Sequence, residues 1–260
     1  MTARMPELPR LQEVELGSQA VLIADLHLDP FDEGRCQQFA AWVRGLEVPH
    51  LVILGDLFDA WVGPAHERAP GSRLVMEAFR ARSSEGTVLV LQGNRDRLLG
   101  ESFERGSGAR VLRDGVVGLG PDGRRVLLLH GDELCTRDLA YQRLRRVLRS
   151  WPVQWLGPRL PLWLSRRIAR RLRRASEHAV ALKLPEEKAV QPEAARREAG
   201  ERGCGVLVCG HVHAARDEEL AGASGADGLR WIVLDAFGGR RDAVRVSPEG
   251  LELTASGFRG

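Results

Sequence analysis

The sequence predicts an α/β fold in which helices cover mixed β-sheets, with one helical insertion late in the chain. Short apolar runs recur, and each ends in a cluster of polar residues: AVLIADLH, LVILGDLFD, TVLVLQGNRD, RVLLLHGDE and GVLVCGHVH. Near-continuous apolar runs of this length are typical of strands that are covered on both faces. Amphipathic helical patterns lie between several of the runs, and this alternation predicts α/β layers.

The individual elements follow in chain order. Helices are predicted at Gly34–Arg44 and Ser72–Arg82, between the first three strand runs. The runs RWIVLDA, AVRV and LELT predict three further strands, and the turn at Pro248–Gly250 joins the last two as a hairpin. Because hairpin strands are antiparallel whereas strands joined through a helix are parallel, we expect mixed sheets. The stretch AGASGADG, residues 221–228, predicts a surface loop.

Residues 138–190 interrupt this alternation and predict a helical insertion within a single domain that spans residues 1–260. The segment contains no strand pattern. Helices are predicted at Asp138–Ser150, Pro161–Arg174, Ser176–Leu184 and, just beyond the insertion, Pro192–Glu201. The most apolar stretch, WPVQWLGPRLPLWL, is broken by three prolines and an arginine, and no run reaches the ~18 apolar residues of a membrane span.

Composition and charge indicate a folded protein with one strongly basic segment. Of the 260 residues, 43% are hydrophobic and 28% are charged, and the net charge is +3. Eleven arginines and no acidic residue lie between Asp138 and Glu177, so the remainder of the chain is acidic. This segregation of charge predicts an anionic partner, which could be nucleic acid, anionic lipid or a phosphorylated substrate.

The cysteines and the N-terminus favour a cytoplasmic protein. Cys36, Cys135, Cys204 and Cys209 form no CxxC pair and no zinc-ribbon spacing. We interpret them as reduced, mostly buried thiols, the usual state of cysteine in the cytosol. The N-terminal stretch MTARMPELPRLQEVELGSQ contains no apolar segment of the kind found in secretory signals.

Side chains that bind metals follow five of the apolar runs. They are Asp25 and His27, then Asp56, then Asn94, then His130, and finally His211 and His213. Sites in α/β proteins lie beyond the carboxyl ends of strands, so these side chains should meet. Each cluster alone is more often a solvated pair, a hydrogen-bonded histidine or a turn, but their conjunction predicts a two-metal centre. Mixed imidazole and oxygen ligands favour Mn²⁺, Fe or Zn²⁺ over Ca²⁺.

The order D-x-H, G-D-x-x-D, G-N-x-D, H-G-D, G-H-x-H, from residue 20 to about 238, resembles the calcineurin-like metallophosphoesterase superfamily. The longer stretches IADLHL, GDLFDAW, GNRD and LHGDELCTRDLAYQ are most similar to one family within it, the UDP-2,3-diacylglucosamine pyrophosphohydrolases of lipid A biosynthesis. The resemblance implies a four-layer αββα sandwich of two mixed sheets, with residues 138–190 as a helical lid. It implies that one metal is held by Asp25, His27, Asp56 and His213. The second would be held by Asp56, Asn94, His130 and His211, with Asp56 as the bridge.

The resemblance further implies a hydrolase that uses two divalent ions, most often Mn²⁺, with Fe or Zn²⁺ as alternatives. Water would attack the α-phosphorus of UDP-2,3-diacylglucosamine, which gives UMP and 2,3-diacylglucosamine 1-phosphate. The implied catalytic residues are Asn94, Arg95 and His130. The implied substrate-binding residues are Asn94, Arg95, Asp138 and Tyr141.

Four neighbouring residues have more than one interpretation. Arg95 could bind a phosphate through two hydrogen bonds, although a surface arginine would give the same pattern. Tyr141, the single tyrosine, could contact substrate or could have a capping or core role. Asp96 could orient a metal ligand. Asp59 matches the second acid of G-D-x-x-D, and we expect it to form a turn or support a ligand without binding metal.

The Arg/Trp-rich insertion predicts lipid recognition. Trp151, Trp155, Trp163 and several leucines are interspersed with clustered arginines, as in segments that dock on anionic membranes. The alternatives are a solvated helix face with buried Trp and Leu, and a polybasic segment that binds nucleic acid. We expect a lid that admits acyl chains and rests on the cytoplasmic face of the inner membrane. We expect a monomer with no nucleic-acid partner and no obligate protein partner.

The match to the family departs at three positions beside the last histidines. Val212 stands where a small hydroxyl residue is usual, and Ala214 and Ala215 replace Arg-Pro. These departures leave open a metallophosphoesterase that acts on another nucleotide pyrophosphate, a phosphodiester or nucleic acid. A scaffold that has lost its metals is disfavoured because all seven ligand positions are present.

Overall fold

Two six-stranded sheets form the centre of the fold. The computed structural model describes residues 11–17, 19–182, 185–222 and 228–258, with the backbone alone at 175–182, 185 and 188. Sheet I contains, in spatial order, β1 (Gln12–Glu15), β6 (Val116–Leu119), β7 (Arg125–Leu128), β8 (Val206–Cys209), β10 (Leu229–Val233) and β9 (Arg216–Leu220). Sheet II contains β12 (Gly250–Thr254), β11 (Ala243–Ser247), β2 (Ala20–Ile23), β3 (His50–Ile53), β4 (Thr87–Leu91) and β5 (Arg110–Leu112). Both sheets contain parallel and antiparallel pairs, so the prediction of mixed sheets is confirmed.

The helices flank the sheets or belong to the insertion. Those against the sheets are α1 (Glu33–Arg44), α2 (Pro70–Ser83), α3 (Glu101–Ser107) and α8 (Pro192–Gly200). Those of the insertion are α4 (Leu139–Leu148), α5 (Trp151–Leu156), α6 (Leu162–Leu182) and α7 (Pro185–Lys188). None of the described helices is long and apolar enough to cross a bilayer.

Four layers of secondary structure enclose three apolar clusters. Leu22 of β2 belongs to the cluster between the two sheets. Its neighbours Val21 and Ile23 point the other way, into a cluster with Phe39 of α1 and Phe79 of α2. A third cluster joins the outer face of sheet I to α8. Because both faces of β2 are buried, its residues are apolar in succession, and the predicted αββα arrangement is confirmed.

Strand direction places the polar strand ends at common edges. Strands β2, β3 and β4 are parallel to one another, and so are β7, β8 and β10. Backbone hydrogen bonds then continue the pairing into the loops. The Asp25 N–H donates to Gly55 O at 3.2 Å, and the Gly210 N–H donates to His130 O at 3.0 Å. The loops that carry the candidate ligands are therefore fixed to one another by the main chain.

Two features of the insertion differ from the sequence prediction. The helices predicted at Pro161–Arg174 and Ser176–Leu184 are one helix, α6, because no Pro or Gly stands between them to interrupt the i→i+4 bonds; residues 183–184 lie outside the described residues. The stretch WPVQWL, to which the sequence prediction assigns no helix, forms α5. Pro152 is tolerated there because it lies in the first turn, where its missing N–H leaves no bond unmade. The predicted loop 221–228 lies outside the described residues at 223–227.

Candidate active site

Loops from both sheets bring the predicted metal ligands to one edge of the sandwich. They leave β2 with Asp25 and His27, β3 with Asp56, β4 with Asn94, β7 with His130, and β8 with His211 and His213. The His211 N–H donates a 2.6 Å hydrogen bond to Asp25 Oδ2. This bond joins a loop of sheet I to a loop of sheet II, so the two strand-end sets form one cluster.

Backbone strain marks the same positions. The non-glycine residues with positive φ in the described part of the chain are Asp25 (55°), His27 (49°), Asp56 (51°), His211 (72°) and His213 (51°). All five belong to the predicted ligand set. A left-handed conformation costs an L-residue on the order of 1–2 kcal/mol. Strain of this kind persists at functional sites, where the surrounding fold enforces it, so the fold gives up stability to aim these side chains at a common centre.

Two glycines are required by close approach of the backbone to ligand side chains. A Cβ added to Gly93 would lie 2.1 Å from Asp56 Oδ1, so only glycine leaves room for that carboxylate. Gly55 has a φ of +93°, and a Cβ there would lie 2.5 Å from His130 Nδ1. The glycines that precede Asp56 and Asn94 in the sequence motifs are therefore required for steric reasons.

Asp25, His27 and His213 form the first candidate metal site. Their ligand atoms lie within 4.8 Å of one another. His27 Nε2 is 3.2 Å from His213 Nε2, which is 3.6 Å from Asp25 Oδ1. Asp25 Oδ1 and His27 Nδ1 are buried and have no hydrogen-bond partner. Buried polar atoms are nearly always paired, so these two point to a group that the protein itself does not supply.

Asp25, Asp56 and His130 form the second candidate group. His130 Nε2 lies 2.9 Å from Asn94 Oδ1 and 3.2 Å from His211 Nδ1. His130 Nε2 is also 3.7 Å from Asp56 Oδ1. In this geometry Asp25 belongs to both three-residue groups, whereas the sequence resemblance implies that Asp56 alone is shared.

Two contacts orient the ligands of the second group. His130 Nδ1 lies 2.9 Å from the Leu54 carbonyl oxygen, which turns the other ring nitrogen toward the cluster. Asp56 Oδ2 lies 3.8 Å from His27 Nδ1, so the Asp56 carboxylate also faces the first group. Both acids therefore lie between the two sets of imidazoles.

Burial and crowded charge shift the protonation of the cluster. Burial, reinforced by nearby carboxylates, raises the pKa of Asp56 to about 7. Burial opposes the charging of His130, but the carboxylates of Asp56 and Asp25 outweigh it and raise the pKa of His130 to about 9. Burial lowers the pKa of His27 to about 3 and that of His211 to about 4. These two imidazoles are thus neutral at neutral pH, the form that binds metals.

The residues fit divalent cations. The cluster offers carboxylate and amide oxygens and imidazole nitrogens, a donor set suited to Mn²⁺, Fe or Zn²⁺. Asp25 Oδ1 and His27 Nδ1 are available because neither has a hydrogen-bond partner. A cation beside the buried Asp56 carboxylate would supply the opposite charge that favours its ionised form.

Arg95 is held at the rim of the cluster by acidic side chains. Its backbone N–H donates to Asp56 Oδ1 at 2.9 Å, and its guanidinium donates to Asp59 Oδ1 at 2.7 Å. Asp59 also pairs with Arg173 of α6, so one carboxylate contacts both Arg95 and the insertion. Asp96 is fully buried and accepts backbone N–H bonds from two of the loops. Asp59 and Asp96 thus contact residues next to the candidate ligands, and their supporting roles stay a prediction.

Asp132, to which the sequence analysis gave no role, anchors the helix that carries Tyr141. The Tyr141 hydroxyl and Arg145 Nε donate to the same oxygen, Asp132 Oδ2, at 2.6 Å and 2.7 Å. Asp138 caps α4 by accepting the Tyr141 N–H at 3.0 Å. The Tyr141 ring lies 5.8 Å from the His211 ring, so α4 borders the cluster. Asp132 is the acid of the H-G-D motif, and this motif was the sequence signal that could have identified it.

Comparison with known proteins agrees with this arrangement. A model of the calcineurin-like phosphoesterase family matches residues 19–215, a range that includes all seven predicted ligands. The chain belongs to the calcineurin-like phosphoesterase family. It is therefore a hydrolase, and membership of this metallophosphoesterase family implies divalent metal ions.

Curated relatives of this phosphoesterase match along most of its length. The UDP-2,3-diacylglucosamine hydrolase of Pseudomonas putida strain KT2440 is 36% identical over 244 residues, which cover 92% of this chain and 99% of that protein. The protein of the same name from Azotobacter vinelandii is 38% identical over 239 residues, covering 90% of this chain and 97% of that protein. Among solved structures, Yfce, a phosphoesterase from E. coli, matches with a TM-score of 0.40 and 18% identity over 93% of this chain and 95% of that chain.

The departures from the family pattern lie on the rim of the phosphoesterase site. Val212 is half-buried and packs against the cluster beneath sheet I. Ala214 is exposed, and the Ala215 N–H donates to Asp235 Oδ1 at 3.0 Å. His211 and His213 keep their positions in the candidate site, so these departures change the surface next to the ligands.

The insertion exposes an unusual amount of apolar surface. Trp151, Trp163 and Trp155 are 76%, 68% and 55% exposed. The alternative in which these tryptophans are buried is therefore wrong. The α6 surface adds a groove lined by Trp163 and by arginines 166, 167, 170, 171 and 174. Large exposed apolar patches mark surfaces that meet a partner or a membrane.

Proposed function

We propose that this phosphoesterase hydrolyses the pyrophosphate of UDP-2,3-diacylglucosamine in lipid A biosynthesis and releases UMP and 2,3-diacylglucosamine 1-phosphate. The observation that carries the proposal is the convergence of oxygen and nitrogen donors next to an insertion rich in exposed Trp and Arg. Among these donors, Asp25 Oδ1 is buried without a hydrogen-bond partner. The curated relatives that match at least 90% of the chain bear the name of this hydrolase.

Two divalent ions would be held by the seven donors. Asp25, His27 and His213 would hold one ion. Asn94, His130 and His211 would hold the other, with Asp56 facing both. When bound, such ions polarise a phosphoryl oxygen and lower the pKa of water. We expect Mn²⁺, with Fe or Zn²⁺ as alternatives, since all three suit a mixture of imidazole and oxygen donors.

The chain's own side chains would position the substrate. Arg95, steadied by Asp59, presents a guanidinium beside Asp56 that can form paired hydrogen bonds with a phosphate. Asn94 would orient His130 through their 2.9 Å contact. Tyr141 and Asp138 begin α4 next to His211 and can contact the part of the substrate that lies beyond the phosphates. Attack on the α-phosphorus requires that these residues hold the pyrophosphate in line with the incoming water.

The insertion would serve as the lid of a single domain, with residues 138–190 covering the acyl chains. Exposed Trp151, Trp155 and Trp163 beside clustered arginines fit the interface of an anionic membrane, where indole rings and basic side chains both find favourable partners. We place the enzyme on the cytoplasmic face of the inner membrane, as a monomer without nucleic-acid or obligate protein partners.

The test is turnover of UDP-2,3-diacylglucosamine by the metal-loaded protein, with UMP measured by chromatography. Bis-p-nitrophenyl phosphate and CDP-alcohols serve as competing substrates. We expect UMP to form with Mn²⁺ and turnover to stop with a chelator. In water labelled with ¹⁸O, attack on the α-phosphorus places the label in UMP.

Each other outcome rejects a stated part of the proposal. Preference for a CDP-alcohol or a simple phosphodiester, with no UMP release by folded, Mn²⁺-loaded protein, would reject the lipid A substrate in favour of another phosphoester. Label found in the sugar phosphate would reject attack on the α-phosphorus.

A further inference from the structure

A cleft beside Asn94 is lined by three arginines that the proposed mechanism does not use. The cleft lies between α4 and the segments that follow β4 and β7. Its walls include Arg97, Arg145 and Arg149, together with Asn94 and Tyr141. Asn94 is a proposed metal ligand and Tyr141 a proposed substrate-binding residue. A substrate bound at the metal site could therefore extend into this cleft.

Two of the arginines in the cleft share a single carboxylate. Arg97 Nη2 and Arg149 Nη1 donate to the same oxygen, Asp114 Oδ1, at 2.9 Å and 3.0 Å. One carboxylate therefore pairs with two guanidinium groups. Arg145 is matched separately by the buried Asp132, at 2.7 Å, and by Glu133, at 3.8 Å. Arg97 and Arg149 thus share one carboxylate, whereas Arg145 has two acids of its own.

The two guanidiniums that share Asp114 are also partly withdrawn from water. The Arg97 side chain is 14% exposed and that of Arg149 is 26% exposed. Arg97 Nε is buried without a hydrogen-bond partner. Burial, together with repulsion from Arg97 and Arg145, lowers the pKa of Arg149. A phosphate in the cleft would supply a second negative charge to the Arg97–Arg149 pair and a hydrogen-bond acceptor for Arg97 Nε.

We propose that Arg97 and Arg149, backed by Arg145, form a subsite for the phosphate that departs from the pyrophosphate. This inference rests on the proposed function. As the water oxygen bonds to the α-phosphorus, the bridging P–O bond breaks and its electron pair stays on the departing phosphate, while the protons of the water pass to solvent. The charge of that phosphate grows from one minus to two minus. Guanidiniums bind the product dianion more strongly than the starting diester, so the subsite stabilises the transition state more than the bound substrate.

The test compares two substrates in Arg97→Gln and Arg149→Gln. We expect kcat for UDP-2,3-diacylglucosamine to fall about 100- to 1000-fold, the scale of one lost transition-state donor. Turnover of bis-p-nitrophenyl phosphate, which lacks a second phosphate, should fall much less, so the ratio of the two rates changes. Calorimetric affinity for glucosamine 1-phosphate, measured on the metal-loaded protein, should fall in parallel. Arg149→Lys should recover part of both losses because it restores the charge.

Asp114→Asn is the matched control, since it breaks the same contacts and keeps both guanidiniums. We expect it to leave the substrate ratio unchanged and the affinity for glucosamine 1-phosphate equal or higher. An equal loss in Asp114→Asn would show that the arginines act through packing, which overturns the subsite. An unchanged ratio and affinity in the glutamine variants would overturn it as well. A third outcome separates the two proposals: the wild type forms no UMP, yet the glutamine variants bind glucosamine 1-phosphate more weakly than the wild type does. In that case the substrate assignment fails and the anion site stands.

Discussion

At the scale of single residues, the site is built against the conformational preference of its own side chains. Asp25, His27, Asp56, His211 and His213 adopt positive φ. Such strain is retained only where the surrounding structure enforces it. Here the enforcement comes from paired loops, as in the 3.0 Å bond from the His27 N–H to Asp56 O. The strained residues are the candidate metal ligands, so ligand geometry explains why the strain is there.

Asp56→Ala should abolish activity and lower the metal content, because the Asp56 carboxylate faces both groups of donors. We expect a loss larger than the roughly 10–100-fold cost of removing a partner outside the metal's own ligands. Metal per chain is measured by mass spectrometry together with turnover. Asp122→Ala, in a surface turn, is the control. Full occupancy by two ions in Asp56→Ala would contradict the bridging role.

At the scale of elements, polar contacts hold two helices of the insertion, α4 and α6, to the sandwich. Asp132 holds α4 through Tyr141 and Arg145. The α6 helix is held by Arg173, which pairs with Asp59, and by Arg166, whose guanidinium lies 3.7 Å from the centre of the Phe31 ring. The α4 helix has no buried residue. Loss of one contact should therefore loosen an entire lid helix.

Asp132→Asn should destabilise the protein by about 3 kcal/mol, because it removes the charge of the carboxylate 2.7 Å from Arg145 and leaves only Glu133, at 3.8 Å, to balance that guanidinium. Urea unfolding at pH 7 measures this loss. The acid dependence gives a second readout. Burial raises the pKa of Asp132, but Arg145 and nearby imidazoles outweigh burial and hold it below its usual range. A lowered folded-state pKa gives stability that is present above about pH 4 and is lost as pH falls further.

The melting temperature of the wild type should thus fall more steeply below pH 4 than that of Asp132→Asn. Parallel curves for the two proteins would mean that the Asp132 carboxylate does not stabilise the fold through its charge.

Charge reversal on α6 should weaken binding to anionic membranes. Each basic residue near such a surface contributes about 1 kcal/mol. The triple variant Arg167→Glu, Arg170→Glu, Arg171→Glu should therefore bind phosphatidylglycerol vesicles at least about 100-fold more weakly at low salt. The difference should shrink at high salt because exposed charges are screened. The control reverses Arg105, Arg240 and Arg245, which lie outside the insertion. If both triple variants bind the vesicles equally well, the lid covers substrate but does not bind the membrane.

At the scale of the whole molecule, the sequence predicted the buried strands better than the sheet edges. Runs such as LVIL are apolar in succession because both faces of sheet II are covered. The edge strands β1 and β9 are mostly exposed and carry acidic residues, so no apolar pattern marks them. The two β-sheets and the hairpin could be predicted; their strand order could not.

The supporting contacts of the site had weaker sequence signals. Motif order singled out Asp56 and His130, but Arg145 is one of eleven arginines in its segment, and nothing in the sequence distinguishes it. Asp114 pairs with residues 17 and 35 positions away, and such distant pairing leaves no local pattern. Residues that act through tertiary contacts became visible only with the fold.

The central claim is that the strand-end loops assemble a two-metal centre, and anomalous diffraction from Mn²⁺-soaked crystals tests it most directly. We predict two separate anomalous peaks. One should lie among Asp25, His27 and His213, and the other among Asn94, His130 and His211, with Asp56 in contact with both. A single peak, or peaks away from these residues, in crystals of protein that turns over substrate would contradict the two-metal centre.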